Sequence, residues 1–297
     1  MDNNVRLSEI LSKDDLSELR KKSNVVALIM LLVNWLMVVS CFAILIAWPN
    51  PLIFLTATLV LGGRQLGLGI LVHECAHGAF FEHRKTNDLV GHWLCGSVVN
   101  TSVYTYRDYH LQHHRYAGTE QDPDIVFVDK YPVERASLKR KIIRDITGQT
   151  GYRDTYIKLS QFKWSQNHPW LISHLVLIAV LSLCAAPWSY TLWWVAEIFV
   201  LPLLVRLRQI GEHGVADDRG SRSPRLNTGT TLVSWWERLL LAPNYVNYHV
   251  EHHQFASVPC YRLPQLHQKL QLGGYFDGYD CIAIGYRDVL RRAVHAA

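Results

Sequence analysis

Residues 25 to 77 read VVALIMLLVNWLMVVSCFAILIAW, then PNP, then LIFLTATLVLGGRQLGLGILV, then HECAH. The apolar runs from Val25 to Trp48 and from Pro51 to Val72 each match the ~20 residues that cross a bilayer as a helix. Only the turn Pro49-Asn50-Pro51 separates them, so a transmembrane hairpin is predicted, with its second arm running into His73 and His77. A second pair of runs, Trp170 to Ala186 and Ser189 to Val205, meets at Ala186-Pro187-Trp188. The expected architecture is an all-α integral membrane protein forming a single domain over residues 1–297. It has four transmembrane helices in two hairpins (about 25–48, 51–72, 170–186 and 189–205) and a cytosolic helical cap that carries the histidine clusters.

Charge sets the expected orientation. Neither tight turn contains Lys or Arg, whereas Arg6, Lys13, Arg20, Lys21 and Lys22 precede the first run and nearly all other basic residues lie in the polar middle and tail. Positive residues stay on the cytosolic side, which places both termini and all histidine clusters there. The N-terminal stretch is too acidic and too long before its apolar run to read as a secretory signal peptide. A mean hydropathy of +0.03 averages these long apolar stretches with a polar, histidine-rich remainder. The net charge of +5 is too small and dispersed to point to nucleic acid, and lipid headgroups are the expected basic-patch partner. Cys41, Cys75, Cys95, Cys184, Cys260 and Cys281 form no CxxC pair and read as reduced, mostly buried thiols. Gly91 to Tyr106 is apolar but short and broken by Gly, Ser and Asn, so it is expected to lie in the interface. Ser137 to Arg144 reads as a basic surface helix. Trp188, Tyr190, Trp193, Trp194, Trp235 and Trp236 suit interfacial anchors.

Three histidine clusters carry the chemistry: His73-x3-His77, His110-x2-His113-His114 and His249-x2-His252-His253. Spacings of three and four put imidazoles on one helix face, a turn apart, and imidazole is the commonest metal-binding side chain. His73-Glu74-Cys75-Ala76-His77 also satisfies the H-E-x-x-H pattern of zinc metalloproteases. A single zinc needs only three protein ligands and a water, which would leave most clustered histidines without a role, so a dinuclear site is the better expectation. His213, in Gln209-Ile-Gly-Glu-His213, is a ninth candidate, giving two metals four or five ligands each. Imidazole suits zinc, copper, iron and nickel alike. A centre at the base of a transmembrane bundle faces the apolar ends of lipid substrates, whose C–H bonds call for oxygen activated at two irons. A non-catalytic metal transporter or receptor is a third class, and histidines grouped beyond the span ends count against it.

HECAH, HLQHH and HVEHH, in this order and with two hairpins around them, resemble the three histidine boxes of the membrane-bound fatty acid desaturase superfamily over roughly residues 50 to 270. Asn247-Tyr248-His249 to His253, with Val258-Pro259, Leu263-Pro264 and His267 after it, is similar to the third box and its sequel in acyl-lipid desaturases. Thr119 to Asp124 after the second box also fits. The resemblance implies an O2-dependent, two-iron enzyme that introduces a double bond into an acyl chain. Its metal ligands would be His73, His77, His110, His113, His114, His213, His249, His252 and His253. Gln209 stands where animal stearoyl desaturases have an Asn that reaches a metal through water. The short first box is shared with sphingolipid desaturases and with carotenoid ketolases and hydroxylases, so hydroxylation or ketolation of a lipid or carotenoid is the alternative. No haem-binding HPGG stretch is present, so a separate ferredoxin, or a cytochrome with its reductase, is expected to supply electrons at the cytosolic face.

Metal-bound histidines usually present their second nitrogen to a carboxylate. Glu74 and Glu251 lead the candidates for that role, with Asp108, Asp122, Asp124 and Glu212 behind them. His83, His92, His168, His174, His267 and His295 lack cluster spacing and are expected at surfaces or interfaces. Arg64 lies inside the second run, nine residues or roughly 13 Å of helix before His73, where an unpaired charge is costly. Glu197 is its expected partner, with a polar part of the substrate as the alternative.

Overall fold

The computed structural model describes residues 7–295, so Arg6 of the expected cytosolic basic segment lies outside the described residues. Helices dominate. The first hairpin forms as its sequence dictates. The Ser23 hydroxyl caps helix α1 (Asn24–Ala47) by accepting from the Val26 amide, and the Asn50 side chain caps α2 (Pro51–His77) by accepting from Ile53. Pro51 occupies the first turn of α2, where its missing N–H costs nothing, and Gly78 ends the helix at φ 66°. Leu31, Asn34, Val38, Cys41 and Leu45 of α1 are buried at helical spacing, while Leu28, Leu32, Leu36 and Val39 remain exposed. One stripe therefore packs and an apolar face is left outward.

After α2 the chain passes through a π-helical turn, Val90–Gly96, pressed onto α2 at Gly91, where a Cβ would stand 2.6 Å from Cys75 Cβ. A left-handed Asn100 then redirects it into α3 (Val103–Tyr116). The expected basic surface helix is α4 (Arg135–Ile146), with Lys139, Arg140 and Arg144 exposed and Asp145 turned inward to Arg206. Next come α5 (Gln149–Ser160) and α6 (Trp164–Leu183), and then α7 (Thr191–Phe199) and α8 (Leu201–Gln209). A break at Val200, just before Pro202, separates the last two, and α8 runs into a second π-helical turn, Ile210–Gly214. The tail folds back as strand β1 (Thr230–Leu232), α9 (Trp235–Leu240), α10 (His249–Gln254), α11 (Leu263–Leu272), strand β2 (Ile282–Ile284) and α12 (Gly285–Arg292). The strands pair in parallel, Thr230 opposite Ile282, and tie the tail together beside the second π turn.

Among the described residues, three helical stretches are long and apolar enough to cross a membrane: Asn24–Ala47, Pro51–His77 and the composite Pro187–Gly214. The expected third span, on α6, is not one of them. Its first turns carry Ser165, Gln166, Asn167 and His168, so the apolar helix from Trp170 to Leu183 covers only about 21 Å, against a core of ~30 Å.

Arg64 and Glu197 do not pair. Arg64 is buried and donates from Nη1 to Asn34 Oδ1 at 3.3 Å and from Nη2 to the carbonyl of Leu239. Glu197 instead accepts from Lys158 Nζ at 3.0 Å and from Trp193 Nε1 at 3.1 Å. The reason is the close approach of α9 to the middle of α2. At Gly63 a Cβ would meet Leu239 O and Leu240 Cα at 3.0 Å, so only glycine lets this carbonyl end of α9 reach the guanidinium. Trp193, expected as an interfacial anchor, is instead fully buried in the core, its Nε1 donating to Glu197. All six cysteines are free, and every one except Cys184 is buried.

Candidate metal centre

Four elements deliver nine imidazoles to one place. His73 and His77 occupy the last turn of α2, His110, His113 and His114 the end of α3, His213 the second π turn, and His249, His252 and His253 the whole length of α10. Arg107 fixes α3 against α2 by donating to the carbonyls of Ala76 (2.7 Å) and Cys75 (3.1 Å) in the last turn of α2, the second of which also accepts from the Gly78 amide.

The nine divide into two groups in which the potential ligand atoms lie within 4.8 Å of one another. One group is His73, His77, His110, His114 and His252; the other is His113, His213, His249 and His253. Ring nitrogens face each other directly. His110 Nε2 lies 3.0 Å from His77 Nε2 and 3.0 Å from His114 Nε2, and His213 Nε2 lies 3.2 Å from His113 Nε2 and 2.9 Å from His249 Nε2. Separations of about 3 Å are what two nitrogens bound to one ion at about 2.0–2.1 Å require.

Protonation agrees with that geometry. Burial first, and the neighbouring histidines second, hold His110, His114, His249, His252 and His253 below the ordinary imidazole range, so they are neutral and offer lone pairs. His73 Nε2, His249 Nδ1 and His253 Nε2 are buried without a hydrogen-bond partner, a costly state for a polar atom that a metal would relieve at the nitrogens facing it. The residues thus fit a two-metal, all-imidazole centre.

The outer nitrogens are oriented by carboxylates and a carbonyl. His73 Nδ1 lies 3.1 Å from Glu74 Oε1, His113 Nδ1 lies 2.8 Å from Asp122 Oδ1, and His213 Nδ1 donates to the carbonyl of Asn227 at 3.1 Å. Burial alone would raise the Asp122 pKa, but His113 and the amides of Gly118 and Asp124 together hold it below the usual carboxylate value. Glu212 stands 3.7 Å from His249 Nδ1 and is bonded to Arg208 at 2.8 Å, while Asp124 accepts from the Tyr109 hydroxyl. Glu251, a leading candidate to orient a clustered histidine, does not do so. Its carboxylate takes His267 Nδ1 on one oxygen and the Thr230 hydroxyl on the other. His267 is accordingly buried, contrary to the surface expectation. So is His174, between the Tyr190 hydroxyl (2.7 Å) and the Val98 carbonyl (3.1 Å). Gln209 lines the small space next to the second group, one helical turn before His213. Asp108 makes no bond to a clustered histidine among the described residues.

Glu74 bears on the H-E-x-x-H alternative. Its second oxygen accepts from the Cys260 amide at 3.0 Å, so both oxygens are occupied and buried, not free to activate a water. Two further residues shape the space. Tyr106 stacks on His110 with centroids 5.3 Å apart, and the Arg208 guanidinium enters the lining. The Arg208-to-Glu212 spacing of four residues was legible as a helical ion pair. Nothing in the local pattern marks Tyr106.

The chain can be compared with known proteins. A fatty acid desaturase family model matches residues 48–279. The chain is similar to a β-carotene ketolase of Paracoccus sp. (strain N81106 / MBIC 01143), 23% identical over 231 residues, covering 75% of this chain and 83% of the relative. It is 22% identical over 298 residues to dihydrorhizobitoxine desaturase of Bradyrhizobium elkanii, covering 91% of this chain and 82% of that one. It is 23% identical to the sn-1 oleoyl-lipid 12-desaturase of Synechocystis sp., over 71% and 66% of the two chains.

Proposed function

The chain belongs to the fatty acid desaturase family, and on that premise we propose that it is an O2-dependent oxidoreductase with two irons that introduces a double bond into the acyl chain of a lipid. The observation that carries this reading is the convergence of five and four imidazoles into two adjoining groups at the end of long apolar helices. His73, His77, His110, His114 and His252 would hold one iron, and His113, His213, His249 and His253 the other. Iron bound there, with O2 as co-substrate, supplies the oxidising power to remove two hydrogens from an unactivated carbon pair.

The protein supplies position. Asp122, Glu74 and the Asn227 carbonyl fix the tautomer and plane of His113, His73 and His213, so lone pairs rather than N–H groups point inward. Tyr106 and Arg208 crowd the remaining space and limit entry of water. Gln209, beside that space, is a candidate to reach a metal through water, and Glu251 acts at a distance by holding His267 and the β1 end of the cap.

In this reading the whole chain is one multi-pass membrane domain in which α6 makes the fourth crossing despite its polar first turns. Both termini and the histidine centre are cytosolic. Electrons come from a separate ferredoxin or a cytochrome with its reductase. Hydroxylation or ketolation of a lipid or carotenoid is the second reading, supported by similarity to a β-carotene ketolase. It shares the first hydrogen abstraction and differs in how the carbon is placed.

The test is metal content of detergent-purified protein from iron-supplied cells, with zinc counted alongside and His113→Ala as control, followed by lipid and carotenoid product analysis with and without O2. Two irons per chain, fewer in the variant, and an O2-dependent double bond are expected. One zinc indifferent to His113→Ala would overturn the reading.

A further inference from the structure

An open groove of about 1060 Å³ runs between α4 and α12. Helical spacing divides α12 into two faces. Tyr286, Val289 and Ala293 are buried in one apolar cluster with Ile210, while Arg287, Leu290, Arg291 and Val294 form an adjoining face that lines the groove. Across from them stand Arg135, Leu138, Lys139 and Ile142 of α4. The two walls are tied at one end, where the Val133 amide donates to the Ala293 carbonyl at 2.9 Å and the His295 amide to the Val133 carbonyl at 3.1 Å.

We propose that this groove is the docking surface of the electron donor, a small acidic protein that gives up one electron per encounter. The assignment rests on reading the histidine centre as the oxidising site. It goes further in naming where the partner binds and by what chemistry. The need for a partner follows from the balance. Reducing O2 to two waters takes four electrons and four protons, and forming the double bond releases two of each from two C–H bonds of the substrate. Two electrons must therefore enter from outside, with two protons from solvent, and the donor is oxidised by one electron in each of two visits.

Charge selects the sign of the partner. Arg135, Lys139, Arg287 and Arg291 are exposed around the groove, and its one carboxylate, Asp288, already bonds Arg291 at 2.7 Å and Arg292 at 3.0 Å. Among the described residues Arg135, Lys139 and Arg287 form no ion pair. An acidic surface meets all three, and a basic one is repelled. The floor of Leu138, Ile142, Leu290 and Val294 is buried or half-buried, sunk between two helices. Its shape suits a protruding edge of a protein within a charged rim better than the face of a bilayer.

Position selects the task. A Cβ at Gly211 would stand 3.4 Å from Val289 Cγ2 and 3.6 Å from Tyr286 Cε1, so the inner face of α12 lies on the π turn that carries His213. No more than the thickness of α12, ~10–12 Å with side chains, separates the groove from that turn. The groove also fits the proposed topology. After α4 the chain passes Asp145, bonded to Arg206 at 2.9 Å, and then Gly148, where a Cβ would stand 2.7 Å from Phe199 Cε1. It thus runs from the groove toward the middle of the stretch Pro187–Gly214, leaving Arg135 and Leu138 at the outer, cytosolic end.

The experiment uses the full-length protein in a neutral sugar detergent and two acidic probes, a plant-type ferredoxin and the soluble haem domain of a b-type cytochrome. At least one should bind, more weakly as salt rises. Lys139→Glu and Arg287→Glu should each raise its Kd at least about tenfold, whereas Lys85→Glu, the same charge change on another exposed residue, should shift it less than about twofold. Metal content and thermal unfolding should stay near wild type in all three. A carbodiimide that joins carboxylates to lysines, applied to wild-type protein with bound probe, should cross-link Lys139, and this readout stands even if a variant fails to fold. No binding by either probe, cross-links confined to other lysines, or equal weakening by Lys85→Glu would overturn the surface. So would loss of binding when the protein is moved from detergent into phosphatidylcholine discs, since the bilayer would then cover the groove. Oxygen uptake driven by the reduced probe in native membranes separates this surface from the oxidase reading. Lys139→Glu and Arg287→Glu should raise the KM for the probe and leave kcat at saturation unchanged. Binding at the groove without uptake keeps the surface and removes the oxidase assignment, and uptake with KM unchanged in both variants removes the surface alone.

Discussion

His113 Nδ1 lies 2.8 Å from Asp122 Oδ1, with both side chains buried, while the opposite nitrogen of the same ring lies 3.2 Å from His213 Nε2. The carboxylate thus decides which nitrogen of His113 carries the proton and which faces its partner. Asp122→Asn keeps the shape but removes the charge and permits the wrong tautomer. A roughly 10- to 100-fold loss of metal affinity or activity is expected, with folding near wild type. Metal titration of the purified variant checks this, and unchanged affinity would show that Asp122 does not set the ring.

Arg64 is held by Asn34 and the Leu239 carbonyl, so its loss leaves one buried and one part-buried acceptor unmet. Arg64→Ala should lower stability by about 1–3 kcal/mol, read from thermal unfolding in detergent. Adding Glu197→Gln should give no rescue, because Glu197 belongs to Lys158 and Trp193. Rescue by the double variant would mean that the two residues pair after all.

Glu251→Ala strands His267 and the Thr230 hydroxyl, both buried with it. A loss of about 3 kcal/mol is expected, the cost of breaking one side of a buried polar pair. If Glu251 acts only through the packing of the cap, metal affinity at low temperature should fall much less than in Asp122→Asn. A drop in affinity as large as that of Asp122→Asn would place Glu251 in direct control of the centre.

The depressed histidines give stability a pH sign. His110, His114, His249, His252 and His253 titrate below the ordinary value in the folded chain, burial being the main cause, whereas the unfolded chain takes up protons near pH ~6.5. Below that pH the unfolded state binds more protons, so stability is fully present above ~6.5 and is lost as pH falls. Metal-free protein, prepared with a chelator, should unfold at steadily lower temperature from about pH 6.5 to pH 5. Bound metal should be released over the same acid range, since protons compete for the lone pairs. A flat unfolding profile would mean that the rings are solvated.

The first hairpin was legible because each part of its signal is local: two apolar runs of membrane length, a Pro-Asn-Pro turn, and capping residues at Ser23 and Asn50. The existence of a histidine centre was legible too, since spacings of three and four fix which imidazoles share a helix face. What sequence spacing left open is how the nine are shared. His113 and His114 are neighbours in the chain yet fall in different groups, as do His252 and His253, because consecutive helical residues point about 100° apart and the partners come from other helices. The partners of Arg64, Glu251 and His267 were beyond reach for the same reason. Arg64 bonds a carbonyl 175 residues away, and Glu251 joins His267 to Thr230 across 16 and 21 residues. Backbone carbonyls carry no residue-type signal, and such contacts exist only once α9 has settled against Gly63 and the tail has folded back over the ends of the helices. The sequence by itself determined the hairpin, the imidazole chemistry of the cluster and the end of the helices at which it gathers, whereas the tertiary structure alone decided the division into five and four and the bonds that hold each ring in place.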